Sequence, residues 1–159
     1  MKNIKIKNKG FTLIELLVVI AILTILLAIV LIAINPSRQI SLANNSQRRS
    51  NVGTILNGLS QYATDNAGAL PGALSSSSTQ QIGTGALGCN MACGATTTVA
   101  ACINLTSVLV PTYMAEIPKD PGQSFASTTH YSVIISPTDN HITVTACSAE
   151  LGETISVTR

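Results

Sequence analysis

The chain has few residues of a type that does chemistry, and the one in the least ordinary setting is Glu15. It follows Phe11-Thr12-Leu13-Ile14 and precedes Leu16–Ile34, a run in which Thr24 is the single polar residue. A carboxylate deep in a membrane helix costs about 2.5–3.5 kcal/mol, less towards the helix end, so Glu15 calls for a partner. The next candidates are four cysteines, Cys89, Cys93, Cys102 and Cys147. All follow the apolar run, and an even number of cysteines in an oxidising compartment reads as two disulfides. Zinc is the competing use, but the gaps between these cysteines and the lack of a nearby histidine suit it poorly. Of the three possible pairings, Cys89–Cys93 with Cys102–Cys147 is the expected one, because the second bond would tie a loop to a sheet. His130 and His141 have no Cys, Asp or Glu in ligand spacing and read as strand-edge histidines. Asp120, Asp139 and Asn140 are the residues a calcium ion would use, yet no Asp-x-Asp-x-Asn-Gly loop is present, so they read as solvated turn residues. Neither a nucleophile–base pair nor a phosphate-cradling loop appears. No enzymatic activity, cofactor or metal is expected.

The elements that hold these residues follow from composition. Met1–Gly10 carries Lys2, Lys5, Lys7 and Lys9 and no acid, the pattern of a cytoplasmic flank. A conventional secretory signal has a shorter apolar core and a small-x-small site after it. Here the core is longer, and Ala28 and Ala33 lack a small partner two positions away. Residues 16–34 as a helix cover roughly 28 Å, close to the hydrocarbon thickness of a bilayer. The formal charge of +2 includes the leader; without its four lysines, five basic residues face seven acidic ones and the balance is −2. That does not suit a nucleic-acid binder, and Arg38, Arg48 and Arg49 read as a solvated helix face or as contacts between subunits.

Pro36 breaks the run, and Asn35 as N-cap with Pro36 at the first helical position suits a restart. Val52, Ile55, Leu56, Leu59, Tyr62 and Ala63 then recur at spacings of three and four, predicting an amphipathic helix that ends at Asp65-Asn66-Ala67-Gly68. A Gly, Ser, Thr and Ala-rich stretch from Gly68 to about Ala101, with Ser75-Ser76-Ser77-Ser78 at its centre, reads as a long loop. Residues 105–117 read as a short helix or turn beneath a sheet. Tyr131–Ile135, Ile142–Thr145 and Thr154–Thr158 read as strands, the first two joined by a turn at Pro137-Thr138-Asp139-Asn140. The expected fold is α+β: a long N-terminal helix, membrane half plus amphipathic half, packed against a small antiparallel sheet.

Gly10-Phe11-Thr12-Leu13-Ile14-Glu15-Leu16-Leu17-Val18-Val19-Ile20 resembles the processing site and helix start of type IV prepilins and of the pseudopilins of type II secretion. Ile117-Pro118-Lys119-Asp120-Pro121-Gly122 resembles a stretch that major pseudopilins and some pilins carry before their sheet. The resemblance implies a pilin-like fold, cleavage by a prepilin peptidase between Gly10 and Phe11, and methylation of the new amine on Phe11. Glu15 would then meet that cation on its own chain or on a neighbour, since residues four apart share a helix face. The implied organisation is a leader (1–10), a transmembrane and filament-core helix (11–34), an amphipathic helix half (35–67) and a globular head (68–159). The implied function is that of a structural subunit of a type IV pilus-like filament. Its partners would be further copies of itself, the peptidase, an inner-membrane assembly platform and, before assembly, membrane lipid. The precursor would cross the inner membrane once, N-terminus in the cytoplasm, and end in a cell-surface filament. A pseudopilin of a secretion or DNA-uptake machine is the alternative within the class, and a monomeric membrane-anchored binding module the alternative outside it. Many pilins carry a helix-breaking Gly in mid-span; Thr24 stands near that place and Pro36 is the only nearby Pro, so the point where the helix unwinds is left open.

Overall fold

A computed structural model describes residues 10–72, 74, 78–123 and 127–159. The chain divides into two compact units, Met1–Gln39 and Ile40–Arg159.

In the first unit, α1 spans Leu13–Ala33 with Thr12 as its N-cap and Ile34 as its C-cap. None of its 21 residues is buried. At about 1.5 Å per residue the helix is roughly 31 Å long, enough to cross a bilayer. Thr24 does not disturb it: the hydroxyl donates to the Ala21 carbonyl at 2.8 Å, so the run presents no unsatisfied side-chain donor to lipid. The helix stops before Asn35, which takes a left-handed φ of 41°, a conformation Asn tolerates better than most residues. α2 restarts at Pro36 and runs to Asp65. Asn35 Oδ1 accepts from the Arg38 N–H at 3.3 Å, so the expected cap is formed.

The second unit holds the rest of α2 and an antiparallel sheet of four strands: β1 (Gln80–Gly83), β4 (Thr128–Ile135), β5 (Ile142–Ala146) and β6 (Ile155–Thr158), in the order β1-β4-β5-β6. Between β1 and β4 lie a two-stranded hairpin, β2 (Ala92–Cys93) with β3 (Thr96–Thr97), and a single-turn helix α3 (Thr106–Leu109). β4 and β5 are β-branched and aromatic, as a half-buried pleated surface favours. Their alternation sends Tyr131, Val133, Ile135, Ile142, Val144 and Ala146 to the core side. There they meet Val52, Ile55, Leu56 and Leu59 of α2, with Leu105, Leu109 and Met114 closing the layer. The apolar stripe read from the sequence is thus the stripe that packs.

β1 lies inside the stretch expected to be loop. Gln80-Gln81-Ile82-Gly83 has one strongly apolar side chain, too little for an alternation to show. Pairing supplies what the composition lacks: Gln80 faces Val133 and Gln81 faces Ser132. Gln81 is 1% exposed, and its Nε2 donates to Sδ of Met91, the residue just before β2, at 3.1 Å. Ser75, Ser76 and Ser77 of the serine run lie outside the described residues.

Candidate processing and assembly site

Gly10, Phe11 and Thr12 precede the first helical residue. Gly10 is exposed, and a Cβ added to it would meet nothing within 4 Å. Phe11 is 81% exposed. Both residues that flank the Gly10–Phe11 peptide bond are thus exposed.

Thr12 begins α1 in an extended conformation, φ −84° and ψ 152°. Its Oγ1 accepts from the Glu15 N–H at 3.3 Å, while Glu15 Oε2 accepts from the Thr12 N–H at 3.0 Å and from Thr12 Oγ1 at 2.9 Å. This is a reciprocal capping box, which satisfies two of the N–H groups that a helix start leaves without an intrahelical acceptor. It also puts the carboxylate at the positive end of the helix dipole. Part of the partner that Glu15 requires is thus its own helix start. The carboxylate is held on the N–H of Thr12, one residue from the Phe11 nitrogen. Thr12 was not singled out from the sequence, although Thr-x-x-Glu ahead of an apolar run is the signature of such a box. Lys2, Lys5, Lys7 and Lys9 lie outside the described residues.

Residues 5–31 match the family described as the prokaryotic N-terminal methylation motif. That match supports reading the segment as a class III signal of the type IV prepilin and pseudopilin kind. It contains Gly10, Phe11, Thr12 and Glu15 and nearly all of α1. The fold beyond it, an apolar N-terminal helix followed by a small antiparallel sheet, is α+β and consistent with a pilin. No curated protein and no solved structure matches the chain.

In the pilin-like head the other candidate residues are sorted by burial. The cysteines pair as Cys89–Cys102 and Cys93–Cys147, with Cα separations of 5.3 and 4.2 Å. The expected pairing of Cys89 with Cys93 and Cys102 with Cys147 is not formed. The reason is the hairpin that the sequence hid: β2 lays Cys93 over the sheet, where its Sγ is 3.0 Å from Ser132 Oγ, while Cys102 lies beside Gly83 and Gly85. The loop is indeed tied to the sheet, but through Cys93.

Arg48 is not part of a solvated face. It is 1% exposed, and its guanidinium grips Asp120 with two bonds, Nε to Oδ2 at 2.7 Å and Nη2 to Oδ1 at 2.8 Å. Nη1 donates to Asn45 Oδ1 at 2.9 Å and to Glu150 Oε1 at 3.1 Å. Asp120, read from the sequence as a solvated turn residue, is 3% exposed and belongs to this pair. One turn on, Asn51 Nδ2 donates separately to Tyr131 Oη at 2.8 Å and to the Lys119 carbonyl at 3.2 Å. Arg49 pairs with Glu153 in a more exposed setting.

His130 lies in the interior strand β4, not at a sheet edge. It has a left-handed φ of 61°, and its Nδ1 is 2.9 Å from Ser148 Oγ. Burial pushes its pKa below the ordinary value. His141 is exposed and contacts Asp139 at 2.7 Å. Bonds from Ser136, then from His141, hold the Asp139 carboxyl down at about 2. Among the described residues no three His, Cys, Asp or Glu converge as a metal would need.

Proposed function

We propose that the chain is a structural subunit of a type IV pilus-like filament, made as a single-pass membrane precursor and cut between Gly10 and Phe11 by a prepilin peptidase. The observation that carries this reading is the junction itself: an exposed Gly10–Phe11 bond, then Glu15 capping a helix whose apolar surface is uncovered throughout. Hydrolysis of that bond releases Met1–Gly10 and leaves a cationic amine on Phe11. Methylation to a secondary amine keeps the charge. Glu15 of an incoming chain then docks on the amine of a chain already in the fibre, and α1 exchanges lipid for an equally apolar filament core. The capping box supports this order of events, because it aims the carboxylate towards the chain start before any second copy arrives.

Replacing Gly10 should block processing and leave a full-length membrane protein; mature chain of normal size would overturn the cleavage step. Glu15→Gln should insert and be cut normally but assemble poorly. Wild-type numbers of fibres from that variant alone would show that the carboxylate is not the docking device. Sheared surface fibres built mainly of the mature chain favour the pilin; scarce fibres beside an intact secretion or DNA-uptake activity favour the pseudopilin. Cross-linking that never exceeds a monomer favours a membrane-anchored module.

A further inference from the structure

We propose that β6 is a docking edge for a second copy of this chain, the two strands pairing antiparallel about a twofold axis at Val157. The sheet has two edges, and they are treated differently. β1 is covered by the returning chain: Val99 donates to the Thr79 carbonyl at 3.1 Å, Ile103 to Gln81 at 2.8 Å, and Gly83 to Ile103 at 2.9 Å. β6 has no such cover among the described residues. The reciprocal bonds between Ile142 and Arg159, with the register that sets Val144 opposite Val157 and Ala146 opposite Ile155, turn the main-chain groups of residues 155, 157 and 159 towards β5. Those of Ser156 and Thr158 therefore point outwards, and both residues are exposed. The strand is short, four residues ahead of Arg159, but it carries no proline, no lysine and no bulge to block pairing.

The occupant is indicated by self-complementarity. In an antiparallel pair centred on Val157, Ser156 of each copy faces Thr158 of the other, and these two narrow pairs make four main-chain hydrogen bonds. Hydroxyl then meets hydroxyl across the new ladder, as Thr143 and Thr158 already do at 2.8 Å within one chain. Val157, 40% exposed on the core side of the sheet, meets its counterpart in the closely spaced, non-hydrogen-bonded position. Charge fixes the direction. The antiparallel register sets Arg159 opposite Ile155 of the second copy, towards that copy's Glu153 just before the strand, a carboxylate that Arg49 of its own chain already holds and that a second guanidinium can share. A parallel register would bring like charges together.

Four residues of edge bury far less than the roughly 1,200 Å² of a stable interface, so one contact is weak. Repeated along a filament, it acts many times over and fastens fibres side by side; this last step rests on the filament reading.

The test is a cysteine at position 157 of the full-length chain, expressed on cells and oxidised. Cα atoms about 4.5 Å apart across such a pair lie within disulfide range. Val157→Cys should give at least about fivefold more cross-linked dimer than Thr138→Cys, an exposed control in the β4–β5 turn. Val157→Lys should reduce fibre bundles by about the same factor, the weight of one unfavourable cross-strand pair. Equal cross-linking at 157 and 138 overturns the proposal. Abundant fibres without cross-links at 157 reject the edge and leave the filament standing; cross-links in solubilised chain without fibres do the reverse.

Discussion

The sharpest energetic prediction concerns Arg48 and Asp120. Both side chains are sealed from solvent, at 1% and 0% exposed, and Asp120 Oδ1 also accepts from the Gly122 N–H at 2.9 Å. Asp120→Ala leaves a guanidinium inside the head with Glu150 as its acidic partner among the described residues. Removing one partner of a buried pair costs about 3–5 kcal/mol, a large share of the roughly 5–15 kcal/mol that holds a domain together. Glu150 is 32% exposed, so water screens its pairing with Arg48 and Glu150→Ala should cost far less than Asp120→Ala. Replacing both buried partners, Arg48→Met with Asp120→Leu, should recover much of the loss, because neither ion is then stranded. Urea unfolding of the full chain in detergent, disulfides intact, followed by tyrosine fluorescence, measures the cycle. Equal costs for Asp120→Ala and Glu150→Ala, or a double variant that loses as much as Arg48→Met and Asp120→Leu summed, would refute the buried pair as the source of the loss.

Three further outcomes follow from the head. Cys93–Cys147 spans 54 residues and Cys89–Cys102 spans 13, so by loop-closure entropy Cys93→Ser with Cys147→Ser should cost about 4 kcal/mol and the other pair about 3; urea midpoints of the two double variants rank them. His130, whose pKa is lowered by burial from 6.5, favours the neutral form when folded. Its contribution is therefore fully present above pH 6.5 and is lost as the pH falls below that value; stability measured from pH 8 to 5 should drop less in His130→Gln than in the parent. Gly83→Ala would push a methyl into the Ser127 carbonyl, with Cys102 Sγ at 2.9 Å and Thr128 Cα at 3.1 Å. Overpacking of this kind costs about 1–3 kcal/mol, and a thermal melt indistinguishable from the parent would refute the clash.

The local signals in the sequence survive well in the structure. The apolar run, the restart at Pro36, the stripe from Val52 to Leu59 and the strands around Val133 and Val144 each depend on residues near one another in the chain. What was hidden depends on distant ones. Arg48 looks like any surface arginine until Asp120, 72 residues on, is folded against it. β1 is a strand because β4 is beside it, and the cysteine pairing followed from a hairpin of two-residue strands that no periodicity marks. Thr12 is the exception: Thr-x-x-Glu ahead of an apolar run is a local and readable signal of a capping box.

The Cys93–Cys147 bond has a mechanical consequence. In the filament proposed above each subunit is a link in a chain under tension, and a pulled domain lengthens by paying out backbone. The chain from one of these cysteines to the other, a sequence separation of 54 and about 180 Å when drawn straight, is short-circuited by the bond and cannot be paid out. The buried Arg48–Asp120 clamp can rupture under load without that length being released. A single head stretched in an optical trap should therefore lengthen by roughly 180 Å more after reduction than before it.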